Sequence, residues 1–192
     1  MTNGDSPRVL IVEDDPDVRA LYAEYLADEY EVTATGSGEA ALDLVGEGFD
    51  VVLLDRRLPG LSGRAVLERI RERSAGCAIA VVTAVEPDLD ILDMGFDDYV
   101  VKPVDRADLT VLVDRLLRCL EYDDAVRRYF VMARKVALLE TEGSAAEELD
   151  EADARALGRR AAAVRSEAEE SLEQAIEAGG FESVVHRAVQ AD

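Results

Sequence analysis

Short, almost uninterrupted apolar runs alternate with amphipathic stretches over the first 105 or so residues. Arg8 to Val12, Tyr30 to Thr35, Val51 to Leu54, Ala78 to Val82 and Tyr99 to Val101 are rich in β-branched or aliphatic residues and read as strands. Between them, Val18 to Leu26, Ser37 to Val45, Arg64 to Arg73 and the shorter Asp88 to Met94 carry helical spacing, with Ser37 as a candidate N-cap. A strand apolar on both sides must be covered on both faces, and parallel neighbours need a crossover helix. The order βαβαβαβαβ therefore predicts an α/β fold, a doubly wound five-stranded parallel sheet.

In sheets of this kind the site lies beyond the carboxyl ends of the strands. There the chain places Glu13, Asp14 and Asp15 after the first strand and Asp55 at the end of the third. Thr83 follows the fourth, and Lys102 and Pro103 the fifth. One carboxylate after a strand is more often a helix cap or a solvated loop residue. Three together are costly, because Glu13, Asp14 and Asp55 repel one another unless a cation offsets the charge. Mg2+, a hard ion that takes one or two carboxylates together with a phosphoryl group, suits that donor set. Thr83 then offers a hydroxyl donor and Lys102 a compact ammonium for the oxygens of a transferring phosphoryl.

The segments Val9-Leu10-Ile11-Val12-Glu13-Asp14-Asp15, Leu53 through Gly63, Val82-Thr83-Ala84 and Asp97 through Pro103 resemble the receiver family of two-component response regulators, over roughly Arg8 to Leu120. The resemblance implies a flavodoxin-like receiver fold with Asp55 as phospho-acceptor from a sensor histidine kinase. It also implies Mg2+ held by Glu13, Asp14, Asp55 and the backbone carbonyl of Arg57, with Thr83 and Lys102 on the phosphoryl group. Thr83 and Tyr99 would form the switch, and a cis peptide between Lys102 and Pro103 would position the lysine. Arg56 and Arg57, directly after the acceptor, depart from the usual pattern. The phosphoaspartyl hydrolases also use a strand-end aspartate with magnesium. They require a second acid two residues on, where this chain has Arg57, so an enzyme of that class is disfavoured.

Strand patterns stop after Asp105. Leu109, Leu112, Leu116, Val126, Tyr129, Ala133 and Val136 follow helical spacing, Thr141 to Ser144 reads as a turn, and an alanine-rich stripe from Leu149 to Ile176 ends at Gly179-Gly180. The expectation is an α-helical hairpin extension over 121–192 behind a receiver domain over 1–120. Tyr122-Asp123-Asp124, Arg128-Tyr129-Phe130 and Lys135 through Glu140 resemble the HalX domain that follows receivers in haloarchaeal proteins. That resemblance implies an output or protein-interaction role.

Composition bounds the partners. The net charge is −21, from 42 acidic and 21 basic residues, and only Lys102 and Lys135 are lysines. Phosphate backbones are bound mainly by clustered Lys and Arg, and the region from Glu121 onward holds 9 basic against 17 acidic residues. Direct nucleic-acid binding is therefore not expected. High acidity with few lysines resembles the profile of proteins from salt-loving organisms. The two cysteines, Cys77 and Cys119, form neither a disulfide framework nor a zinc motif. No apolar run approaches the roughly 18 residues of a membrane span, and residues 1 to 7 lack a signal-peptide pattern. A cytoplasmic, non-enzymatic phospho-switch is the expected function, with a sensor histidine kinase, an output protein and a second copy of the chain as partners to test. The alternatives are an unphosphorylated interaction module and a transcriptional regulator acting through partners.

Overall fold

The structure, a computed structural model, describes residues 6–73 and 76–120, with helical positions beyond them at 127, 130, 131, 133–135, 137, 138, 159, 162, 163, 166 and 170. The chain divides into two compact units, Met1–Glu86 with Asp93–Leu120, and Pro87–Leu92 with Glu121–Asp192.

In the first unit the strands are β1 (Arg8–Val12), β2 (Glu31–Thr35), β3 (Val51–Leu54), β4 (Ala78–Thr83) and β5 (Asp98–Val101). The helices are α1 (Pro16–Leu26), α2 (Gly38–Leu44), α3 (Gly63–Arg73) and α4 (Arg106–Leu120). All strand pairs are parallel and their order is β2-β1-β3-β4-β5. The chain reverses its direction of winding between β1 and β3, which is where a doubly wound sheet opens its crevice.

Alternation along each strand sends side chains to both faces. Val9, Ile11, Val51, Leu53, Ala78, Ala80 and Val82 share one core with Tyr22 and Leu26 of α1 and with Leu109, Leu112, Val113 and Leu116 of α4. The small Ala78 and Ala80 leave room for α4 to pack on β4. The alternate strand residues, Leu10, Val12, Val52, Leu54, Ile79 and Val81, are equally buried. They pack on the other face, where Ala41 and Leu42 of α2 and Val66, Leu67 and Ile70 of α3 supply the cover. Each fully buried aliphatic side chain contributes about 1.5–3 kcal/mol by leaving water.

Helix starts carry local signals. Asp15 Oδ1 accepts from the amides of Asp17 and Val18, with Pro16 as the first helical residue. Ser37 caps α2 through Ala40, as its position suggested. Asp105 and Asp108 exchange side-chain to amide hydrogen bonds at the start of α4, a reciprocal cap.

One expected element differs. Asp88 to Met94 reads as a short helix, whereas the segment forms a 3-10 turn over Leu89–Asp93. So few residues, between Pro87 and Gly95, cannot offset the cost of nucleating an α-helix, and i→i+3 bonds are the common outcome in short pieces. The expected turn at Thr141 to Ser144, the alanine stripe and the helical hairpin lie outside the described residues. Among the described residues no helix is long and apolar enough to cross a membrane.

Candidate functional site

Strand register builds the site. Val12 pairs with Leu54, so the next residues, Glu13 and Asp55, emerge side by side at the crevice. The Asp55 amide donates to the carbonyl of Val12 at 2.9 Å and the Glu13 amide to that of Thr35 at 3.0 Å, extending the ladders by one residue. On the other side Thr83 pairs with Val101, and the Lys102 amide donates to the Thr83 carbonyl at 2.8 Å. The Lys102–Pro103 peptide is cis.

Glu13, Asp14 and Asp55 each offer a carboxylate oxygen within 4.8 Å of the others. That spread is close to the roughly 4 Å between opposite ligands of an ion bound at about 2.0–2.1 Å, so small side-chain rotations close the gap. The donors are hard oxygens at the mouth of a crevice, with Asp14 exposed and Glu13 and Asp55 buried. This donor set fits Mg2+.

Lys102 links the cluster. Its Nζ donates to Glu13 Oε2 at 2.6 Å and to Asp55 Oδ2 at 2.5 Å. Burial alone would depress the lysine pKa. The hydrogen bonds to Asp55 and Glu13, reinforced by their charges, outweigh it and hold the ammonium above its ordinary value. Glu13 is pushed up by burial, a trend that Lys102 opposes and the neighbouring Asp55 charge assists. A fixed cation thus sits between two carboxylates whose repulsion it offsets.

The other expected residues are distributed around this cluster. The Arg57 amide donates to Asp55 Oδ1 at 2.9 Å, and its side chain is exposed. Thr83 is buried, and its Oγ1 accepts from the Val85 amide at 3.4 Å. Tyr99 is fully buried. Its ring lies 5.5 Å from that of Phe96, and its hydroxyl donates to the Val85 carbonyl at 2.7 Å. Val85 therefore connects the Thr83 hydroxyl with the Tyr99 phenol through its own amide and carbonyl.

Four contributors carry weaker sequence signals. Arg19 Nη1 donates to the carbonyls of Glu13 at 2.6 Å and Asp14 at 3.1 Å. Its place one turn after the capping Asp15 is the only hint in the sequence. Tyr22, on α1, is buried, and burial raises its pKa, a trend that the Lys102 charge opposes and the Glu13 and Asp55 charges assist. Gly63 is needed because a Cβ there would stand 2.4 Å from the Asp55 carbonyl oxygen and 2.7 Å from Arg56 Cα. Asp98, also buried, accepts from Arg115 Nε at 2.7 Å and ties β5 to α4.

Comparison with known proteins gives the same reading from a separate direction. The response regulator receiver domain family matches residues 9–114, and the HalX domain family matches residues 118–185. A provisionally named transcriptional regulator of Haloferax volcanii is 42% identical over 166 residues, which is 85% of this chain and 28% of that protein. The transcriptional activator PfeR of Pseudomonas aeruginosa is 41% identical over 62% of this chain and 40% of its own length. This chain thus spans well under two thirds of either relative. Among solved structures, the receiver domain of the Pseudomonas aeruginosa sensor histidine kinase PA1611, with magnesium coordinated in its active-site cleft, is 29% identical. It aligns with a TM-score of 0.55 over 59% of this chain and 98% of that one. The response regulator TrrA of Thermotoga maritima, in complex with Mg2+ and BeF, is 36% identical with a TM-score of 0.53 over 58% and 99%. With the receiver family matching more than half of its length and HalX most of the remainder, the chain belongs to the response regulator receiver family and carries a HalX domain behind its receiver.

Proposed function

We propose that the protein is the phospho-acceptor of a two-component phosphorelay, with Asp55 taking a phosphoryl group from a sensor histidine kinase. The observation that carries this reading is the convergence of Glu13, Asp14 and Asp55 with Lys102 bridging two of them. Glu13, Asp14, Asp55 and the Arg57 carbonyl would hold Mg2+, which supplies charge neutralisation for the transferring phosphoryl. A carboxylate oxygen of Asp55 forms the new P–O bond as the P–N bond of the donor phosphohistidine breaks.

Lys102, already at hydrogen-bond distance from Asp55, is the group of this chain best placed to follow the added charge. A phosphoryl on Asp55 gives the ammonium a second acceptor and weakens its hold on Glu13. Thr83 supplies a further donor once its hydroxyl leaves the Val85 amide. Because Val85 also accepts from Tyr99, that rearrangement reaches the buried tyrosine, and the surface around β5 changes with it. The role is regulatory, and the HalX region is the output module that works through protein contact. The names of the relatives favour one refinement, control of transcription through such a partner. A net charge of −21 argues against direct contact with DNA.

The test is labelling with a phosphodonor and Mg2+, followed by mass spectrometry. Wild type acquires one acid-stable, base-labile phosphoryl group on Asp55, and Asp55→Asn does not. Label that persists in Asp55→Asn, or that forms equally well after chelation of Mg2+, overturns the assignment. Co-purification of partners with wild type and Asp55→Asn, with and without the region after Leu120, then identifies the output.

A further inference from the structure

The Mg2+ cluster rests on a stretch of backbone that strand pairing alone leaves loose. β1 ends at Val12, and Glu13 and Asp14 lie between it and the start of α1. The Glu13 amide still joins β2, through Thr35, but the carbonyls of Glu13 and Asp14 lie beyond the last paired residues of the strand. Both are taken by one atom, Arg19 Nη1, at 2.6 and 3.1 Å. Arg19 is itself fixed on the first turn of α1, where its amide donates to the Asp15 carbonyl at 2.9 Å.

A second observation shows that the fold makes room for this guanidinium. Gly36 directly follows β2, and a Cβ built there would stand 2.9 Å from Arg19 Nη1 and 3.4 Å from Cζ. The backbone of Gly36 therefore forms a wall against which the planar head of Arg19 lies. The φ of Gly36 is not in the left-handed region, so the demand for glycine here is one of space and not of backbone conformation.

We propose that Arg19 is a positioning residue for the metal site: by clamping two successive carbonyls it sets the direction in which the Glu13 and Asp14 side chains leave the backbone. Holding the Glu13 carbonyl fixes the Glu13–Asp14 peptide plane, and holding the Asp14 carbonyl fixes the Asp14–Asp15 plane. With both flanking planes held, the carboxylates of Glu13 and Asp14 are kept on the side where they lie within 4.8 Å of Asp55. Groups that orient metal ligands from behind typically change metal affinity by about 10- to 100-fold when removed. The inference rests on the reading of Glu13, Asp14 and Asp55 as the Mg2+ site.

The experiment is calorimetric titration of the full chain with MgCl2 in molar potassium chloride, with thermal unfolding in the absence of Mg2+ measured on the same samples. Wild type and Asp14→Asn establish the site. If both bind Mg2+ alike, it is the site assignment that fails. With the site established, Arg19→Met, which keeps much of the apolar stem and removes both donors, is expected to bind Mg2+ about tenfold more weakly, and Arg19→Lys, whose ammonium can donate to both carbonyls, to recover most of that loss. Gly36→Ala leaves the arginine in place and displaces its head, and is expected to weaken Mg2+ binding by a smaller factor while unfolding near the wild-type temperature. Wild-type Mg2+ affinity in Arg19→Met overturns the inference. Should Arg19→Met be too unstable to titrate, undiminished Mg2+ affinity in Gly36→Ala overturns it equally.

Discussion

Replacing Gly63 by alanine tests how tightly the acceptor loop is built. The added Cβ would lie 2.4 Å from the Asp55 carbonyl oxygen, 2.7 Å from Arg56 Cα and 2.9 Å from the Arg56 carbonyl oxygen. Ordinary contact begins near 3.4 Å, so the first of these must open by about 1 Å. All three atoms are backbone. The Asp55 amide is bound to Val12, and the Gly63 amide donates to the Arg56 carbonyl at 3.2 Å, so neither side of the contact can move alone. Overpacking of this kind costs about 1–3 kcal/mol. For a domain of this size each kcal/mol is worth about 4 °C, so the melting temperature falls by roughly 4–12 °C. Because the strain falls on Asp55 itself, phosphorylation should slow as well. The assay is thermal unfolding by circular dichroism in molar potassium chloride, with Gly46→Ala as control, since nothing lies within 4 Å of a Cβ at Gly46. A Gly63→Ala protein that melts within 1 °C of wild type, and accepts phosphate at the wild-type rate, refutes the reasoning.

Lys102→Ala removes the ammonium from between Glu13 and Asp55, leaving two buried carboxylates facing each other, so stability without Mg2+ should fall by about 1–3 kcal/mol and the gain on adding Mg2+ should grow. An unchanged Mg2+ dependence of the melting temperature counts against the bridge. Tyr30 donates to Asp114 Oδ1 at 2.7 Å, and burial, followed by that partner, holds its phenol well above the usual value near 10. A raised pKa favours the folded state fully below about pH 10 and progressively less above it. Tyr30→Phe should therefore lose stability less steeply between pH 10 and 11.5, and parallel alkaline melting curves for the two proteins contradict this. With 42 acidic and 21 basic residues, raising potassium chloride from about 0.1 M to 1 M shortens the screening length from near 10 Å to near 3 Å and should raise the melting temperature. A flat or falling response removes the halophilic reading and leaves the receiver assignment untouched.

Much of the architecture is legible in the amino-acid sequence itself. A run such as Val51 to Leu54, apolar at every position, has nowhere to go but the middle of a sheet covered on both faces, so strand number, parallel sense and helix placement followed from local pattern. The same pattern pointed to Glu13, Asp14, Asp55, Thr83 and Lys102 as strand-end residues, because only positions just past the apolar runs reach the crevice. The 3-10 turn at Leu89–Asp93 was harder to read, since seven residues of helical spacing do not reveal whether nucleation succeeds.

Other features belong to the tertiary structure alone. That Lys102 bridges Glu13 and Asp55 follows from the pairing of Val12 with Leu54 and of Thr83 with Val101, contacts between segments dozens of residues apart. In the sequence alone Arg19 is one charge within the helical stretch from Val18 to Leu26, and Gly36 one small residue before Ser37. Only when β2 and α1 fold against β1 does the guanidinium meet the carbonyls of Glu13 and Asp14 in the space that Gly36 leaves open. The composition of the chain determines which groups are available and on which surfaces of a local element they lie. Which of them meet is decided by long-range register and packing, because a hydrogen bond at 2.6 Å depends on two backbones being brought together and not on either segment alone.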